Sequence, residues 1–125
     1  MRANNQEITL TFDMAWDLCL EQWDWVKAQI EAGPKLSVIT LKMQWCKENG
    51  YEGVRSICFF CEYDKQCRGE RPCCDFCPGV LVDPEFNCNK EKFHYHSRPL
   101  AFHAELVRLN NIRLGLKDLG IPYAY

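Results

Sequence analysis

Apolar residues recur at Phe12, Trp16, Cys19, Leu20, Trp23, Val26 and Ile30, the three-and-four spacing of one buried helix face. The pattern predicts a helix that opens near Thr11 or Asp13, either of which caps a first turn, and runs to about Ala32. Gly33-Pro34 closes it, because glycine takes the left-handed conformation that ends a helix and proline cannot continue one. Val38, Leu41, Trp45 and Cys46 repeat the spacing and predict a second helix from Ser37 to Glu48, closed by Asn49-Gly50. The connection is short, so the two helices are expected to form an antiparallel hairpin. Trp25 falls off the first stripe.

Beyond Gly50 the pattern changes. Val54 to Tyr63 alternates poorly but is rich in aromatic and branched residues, which predicts a strand. From Asp64 to Asn89 the chain is polar and broken by Gly69, Pro72, Pro78, Gly79 and Pro84, a composition that cannot fill a core without cross-links. Phe93-His94-Tyr95-His96 alternates aromatic and imidazole as a short strand does. Pro99 then sits at a first helical position. The last helix is expected to reach about Leu119, with Phe102, Leu106, Leu109, Ile112 (or Arg113) and Leu116 as its apolar stripe and Gly120 and Pro122 as its stop. Met1 to Leu10 reads as a loose lead or a short edge strand. The expected class is an α-rich, small α+β fold in one domain, 1–125: a helical hairpin (1–50), an irregular metal lobe with short strands (51–97) and a C-terminal helix (98–125).

Composition narrows the class. A chain of 125 residues, 47% hydrophobic and 26% charged, belongs with folded domains, and its net charge of -2 provides no bulk attraction for nucleic acid. Only residues 98–125 lean basic, with Arg98, Arg108, Arg113 and Lys117 against Glu105 and Asp118. No run approaches the roughly eighteen apolar residues of a membrane span. Nine cysteines, an odd number, with no apolar signal segment near Met1, predict reduced thiols in a cytoplasmic setting rather than disulfides.

The cysteines carry the chemistry. Cys58-Phe59-Phe60-Cys61 and Cys74-Asp75-Phe76-Cys77 are two C-x-x-C knuckles with twelve residues between them. Each aims two thiolates at one point, and together Cys58, Cys61, Cys74 and Cys77 are the ligand set of a closed tetrahedral Zn2+ site, which organises a fold and leaves no open position for catalysis. The glycine that usually follows a knuckle is replaced by Glu62 and Pro78. Cys73 competes with Cys74 for its place. A second metal would draw on Cys67, Cys73, Cys88 and a histidine of the pair His94 and His96, with His103 further downstream. The spacing lacks the compact run of ferredoxin-type iron–sulfur proteins. Cys19 and Cys46, on helix stripes, read as small hydrophobes.

Three functions follow from these residues. A protein-interaction module fits four Trp and seven Phe in so short a chain, with Trp25, Phe59, Phe60 and Phe76 as candidate interface anchors. Nucleic-acid binding would use Lys65, Arg68 and Arg71 between the knuckles, with Arg108 and Arg113, although Glu62, Asp64, Glu70 and Asp75 offset much of that charge. A metal-dependent hydrolase would place an open metal on Cys88, His94 and His96 with Glu91 as base, yet no H-E-x-x-H, deaminase signature or phosphate-binding glycine loop accompanies them. A non-enzymatic role is the expectation.

The run Cys58-x-x-Cys61, Cys74-x-x-Cys77-Pro78 and Cys88, followed by Tyr95 and a C-terminal helix, resembles small zinc-binding proteins of bacteriophages over about residues 57–109. The resemblance implies a phage accessory protein acting on a host machine or host defence, in the host cytoplasm. It implies no substrate or reaction, and Cys67, Cys73, His94 and His96 have no place in its pattern.

Overall fold

In the computed structural model, residues 9–33, 36–51, 58–68, 75–88, 90 and 94–118 are described, and they build five helices: α1 (Phe12–Ala32), α2 (Val38–Glu48), α3 (Phe59–Arg68), α4 (Pro78–Val82) and α5 (Pro99–Asp118). Local chemistry sets the ends of the first two. The Thr11 hydroxyl accepts the Met14 N–H at 3.1 Å, and Gly33 at φ 104° turns its N–H back to the Ile30 carbonyl, so α1 has a side-chain cap at one end and a left-handed residue at the other. Ser37 caps α2 by accepting the Thr40 N–H at 3.1 Å. Both helices, and α5 with Pro99 first, stand where the three-and-four spacing places them.

α1 is the hub. It packs against α2, α3, α4 and α5, and buries Phe12, Ala15, Trp16, Cys19, Trp23 and Val26. A chain of rings runs through the core: Trp16 meets Phe60 edge-on at 4.7 Å, Phe60 meets Phe86 at 6.3 Å, and Phe102 touches both Phe86 (6.0 Å) and Trp23 (4.9 Å). At the other end Trp45 stacks on Tyr51 at 5.8 Å with Phe59 edge-on to both. Edge and offset contacts of this kind add to the large area that aromatic rings bury.

The short strands are not there: among the described residues the fold is helical throughout, with no strand and no sheet. Phe59 to Tyr63, read as strand, is the first half of α3. The reason lies in spacing. A strand sends Phe59 and Phe60 to opposite faces, whereas a helix places Phe59, Phe60 and Tyr63 along one side, and the core against α1 takes both phenylalanines. His94 to His96 enters a turn rather than a strand: the His94 Nδ1 accepts the N–H groups of His96 (3.2 Å) and Ser97 (3.4 Å), and the Arg98 N–H bonds the His94 carbonyl at 2.8 Å. Leu10 has its backbone N–H and C=O bonded by the Gln66 amide side chain (2.8 and 2.7 Å), an amide doing locally what a neighbouring strand does. Residues 54–57, Phe93 and 1–8 lie outside the described residues.

Candidate metal centre

Three separate segments deliver sulfurs to one cavity of about 510 Å³. Cys58 immediately precedes α3 and Cys61 lies in its first turn, so the Cys61 N–H donates to the Cys58 sulfur at 3.4 Å. Cys77 immediately precedes α4, where Pro78 starts the helix and the Leu81 N–H bonds the Cys77 carbonyl at 2.9 Å. Cys88 is pinned by the Tyr95 N–H on its carbonyl at 3.1 Å, just ahead of α5. All four line the cavity, together with Cys19 of α1. Its remaining walls are largely aromatic: Trp23, Phe60, Phe86, Tyr95 and Phe102.

The sulfurs sense one another. A hydrogen bond from the Cys61 thiol holds Cys58 down to about 6 against the opposing effect of burial, helped by the Lys42 ammonium and the backbone N–H groups of Cys61 and Phe60. Cys61 is pushed far up, first because it is the donor in that bond, then by burial and by the charges of Cys58, Cys77 and Cys88. Burial raises Cys19, with the Cys58 charge adding to it. A cation among these sulfurs would favour their thiolate forms. Among the described residues, no group of three or more His, Cys, Asp or Glu side chains is placed to hold a metal ion. The sulfurs share a space rather than a bonding distance, and only their chemical type speaks for a thiophilic metal.

Of the expected first ligand set, Cys58, Cys61 and Cys77 come together; Cys74, like Cys73, lies outside the described residues. Cys88, expected at a second metal, stands with the first group instead. Cys67 is exposed on α3 and lines no part of the cavity, His96 is exposed, and His94 is turned to capping, so the described members of the second set do not converge. His103 is bonded to Asp24 at 2.7 Å. Glu91 lies outside the described residues.

The other candidate surfaces are rearranged. Phe59 (0% exposed) and Phe60 (3%) are core residues, while Trp25 and Phe76 are half-buried. The exposed large apolar groups are aliphatic instead, including Ile39 and Met43 on α2 and Leu100, Val107 and Leu114 on α5. Arg108 is paired with Glu105 at 2.7 Å and Asp83 at 3.2 Å, and Arg113 is buried against Asp13 at 2.7 Å and Asp17 at 3.4 Å. Both arginines are thus offset by carboxylates of the chain itself. Lys65 is exposed, Arg68 ends α3, and Arg71 lies outside the described residues.

Two residues of the site escaped sequence reasoning. Asp64, read as one of the acids that offset the basic residues beside it, is buried and accepts the Phe76 N–H at 2.7 Å, tying α3 to the segment before Cys77. Lys42, a lysine on a helix, is buried in the cavity wall. Its spacing was the signal: it lies four residues after Val38 and four before Cys46, on the inner stripe of α2.

No protein-family model, curated protein or solved structure matches the chain. No helix among the described residues is long and apolar enough to cross a membrane.

Proposed function

We propose that this protein is a zinc-stabilised protein-interaction module in which Cys58, Cys61, Cys77 and Cys88 hold one zinc ion. The observation that carries the reading is the convergence of these four sulfurs, from three chain segments, on a single cavity. Four thiolates close the coordination of zinc, so the ion's work is structural: it ties α3, α4 and the segment before α5 to the hub helix. The recognition surface is aliphatic. Leu100, Val107 and Leu114 recur every seven residues along the outer side of α5, and each is about two-fifths exposed (42%, 40% and 42%). The resemblance to bacteriophage proteins makes host machines and host-defence proteins the partner class to screen.

Elemental analysis of untagged, reduced protein tests the metal, with far-UV circular dichroism before and after chelation. The expected result is one zinc per chain and a loss of helical signal on its removal. Metal-free protein with the same signal overturns the reading. Two metals per chain would reopen the second site.

A further inference from the structure

Lys42 is 5% exposed, and its Nζ lies 5.3 Å from the centre of the Trp23 ring and 5.7 Å from that of Tyr95. Among the described residues no carboxylate pairs with it; Asp64, in the same wall, accepts the Phe76 N–H. A charge withdrawn from water without a counter-ion is costly, and two ring faces offset only part of that cost. A buried ammonium needs an anion, and the cavity it lines holds sulfurs. Four thiolates around a divalent cation would carry a net double negative charge, here beside aromatic walls, with Cys77 buried, Cys58 and Cys88 half-buried and Cys61 exposed.

We infer that Lys42 is the built-in counter-charge of the thiolate metal centre, a positioning residue that lowers the cost of assembling an anionic complex inside an aromatic cavity. The inference rests on the metal reading above. A compact ammonium on a flexible stem suits the task, since it is a point charge that adjusts to a sulfur cluster rather than a planar fork. The two charges support each other: the ammonium already favours the Cys58 thiolate, and a complex of several thiolates would draw on it more strongly.

The test uses Co2+ as a visible probe on the reduced full chain, comparing the native sequence with Lys42→Met and Lys42→Arg. Each protein is titrated with Co2+ against a competing chelator, and each metal-free form is melted with far-UV detection. The expected result is a Co2+ affinity about 10–100-fold weaker for Lys42→Met, the usual loss when an outer partner of a metal site is removed. Its four-sulfur absorption spectrum should be unchanged and its metal-free melting no lower than native, because methionine replaces a buried charge by an apolar chain of similar length. Lys42→Arg should recover most of the affinity. Equal Co2+ affinity in the native protein and Lys42→Met overturns the inference. So does a loss of affinity that follows a loss of metal-free stability and is not recovered by arginine, which would make Lys42 a packing residue. A native chain that shows no four-sulfur Co2+ spectrum overturns the metal centre itself, a result separate from any difference between variants.

Discussion

Arg113→Met separates a structural arginine from a ligand-binding one. The Arg113 side chain is 5% exposed and reaches from α5 to the start of α1, where its guanidinium meets Asp13 at 2.7 Å and Asp17 at 3.4 Å and lies 5.4 Å from the centre of the Trp16 ring. Methionine keeps the apolar stem and removes the charge, so little cavity forms. The carboxylates left behind are well hydrated (Asp13 43% and Asp17 69% exposed), and Lys117 still reaches Asp13 at 3.3 Å, so no orphaned buried charge results. What is lost is two partly exposed ion pairs at about 0.2–1 kcal/mol each, a sheltered cation–π contact at about 0.5–2 kcal/mol, and the local hydrogen bonds from the guanidinium to the Asn110 Oδ1 at 3.0 and 2.8 Å. The ion pairs and the cation–π contact together set an expected destabilisation of about 1–4 kcal/mol.

Urea unfolding followed by tryptophan emission reads this directly, and repetition in concentrated salt, where the screening length falls to about 3 Å, should remove only the ion-pair share. In a cycle with Asp13→Asn the two changes should fall short of additivity by at least about 0.5 kcal/mol. Stability within about 0.5 kcal/mol of native would refute the account, because it would leave a buried guanidinium with no measurable structural role. A nucleic-acid contact predicts the converse: native stability, and weaker, salt-dependent binding.

Further outcomes follow from the same structure. A Cβ on Gly79 would stand 2.6 Å from the Phe86 ring, so Gly79→Ala should cost about 1–3 kcal/mol of overpacking, less about 0.5–1 kcal/mol of helix propensity, and Gly79→Ala with Phe86→Leu should recover part of the loss in urea unfolding. Thr11→Ala removes the α1 cap and should lower stability by about 0.5–2 kcal/mol, read in the same assay. The Glu85 N–H, with help from Arg108, holds Asp83 below the usual carboxylate range. A carboxyl lowered in the folded state adds stability that is full above its unfolded value, about 3.9, and is lost as pH falls through the folded one; Asp83→Asn should therefore flatten the acid limb of stability below about pH 4. Cys58→Ser should unfold the thiolate lobe and abolish zinc binding, and a variant with native helical signal and native metal content would contradict the ligand assignment.

The long helices were legible because each carries its own pattern: a stripe such as Phe12, Trp16, Cys19, Trp23 and Val26, a capping hydroxyl and a glycine stop are local facts. α3 was not, because Cys58 to Arg68 is short and its two adjacent phenylalanines suit a strand as well as a helix until the packing against α1 is known. The last helix shows the same limit in miniature. Its sequence offered Ile112 or Arg113 for the inner face, and the structure buries the arginine and exposes the isoleucine (38%), because Asp13 and Asp17 of another helix wait there. Cys58, Cys61 and Cys77 were readable from knuckle spacing. Cys88 was not, since its place depends on a turn bonded to Tyr95, and Lys42 went unread although it stands on the inner stripe of α2.

The position of the sulfurs explains why the chain needs them. α1, α2 and α5 are held by large buried side chains: Trp23 meets Phe102 across α1 and α5, and Gln22 of α1 donates to the Lys42 carbonyl at 3.4 Å and to the Cys46 sulfur at 3.5 Å on α2. α3 has ten residues and α4 five, lengths at which isolated helices do not persist in water; that half buries Phe59, Phe60, Leu81 and Phe86, with Tyr63, Val80 and Val82 partly buried against the core. Each of the cavity's sulfurs outside α1 sits on or beside one of these weak parts: two at the start of α3, one before α4, one in the turn leading to α5. A metal bound there would add its cross-links among the shortest helices, and none within the α1–α2 pair that packing already secures. That distribution is what a structural ion requires; with one bound, the shape of the α3–α4 face would depend on the metal, while the aliphatic face on α5 rests on the hydrophobic core.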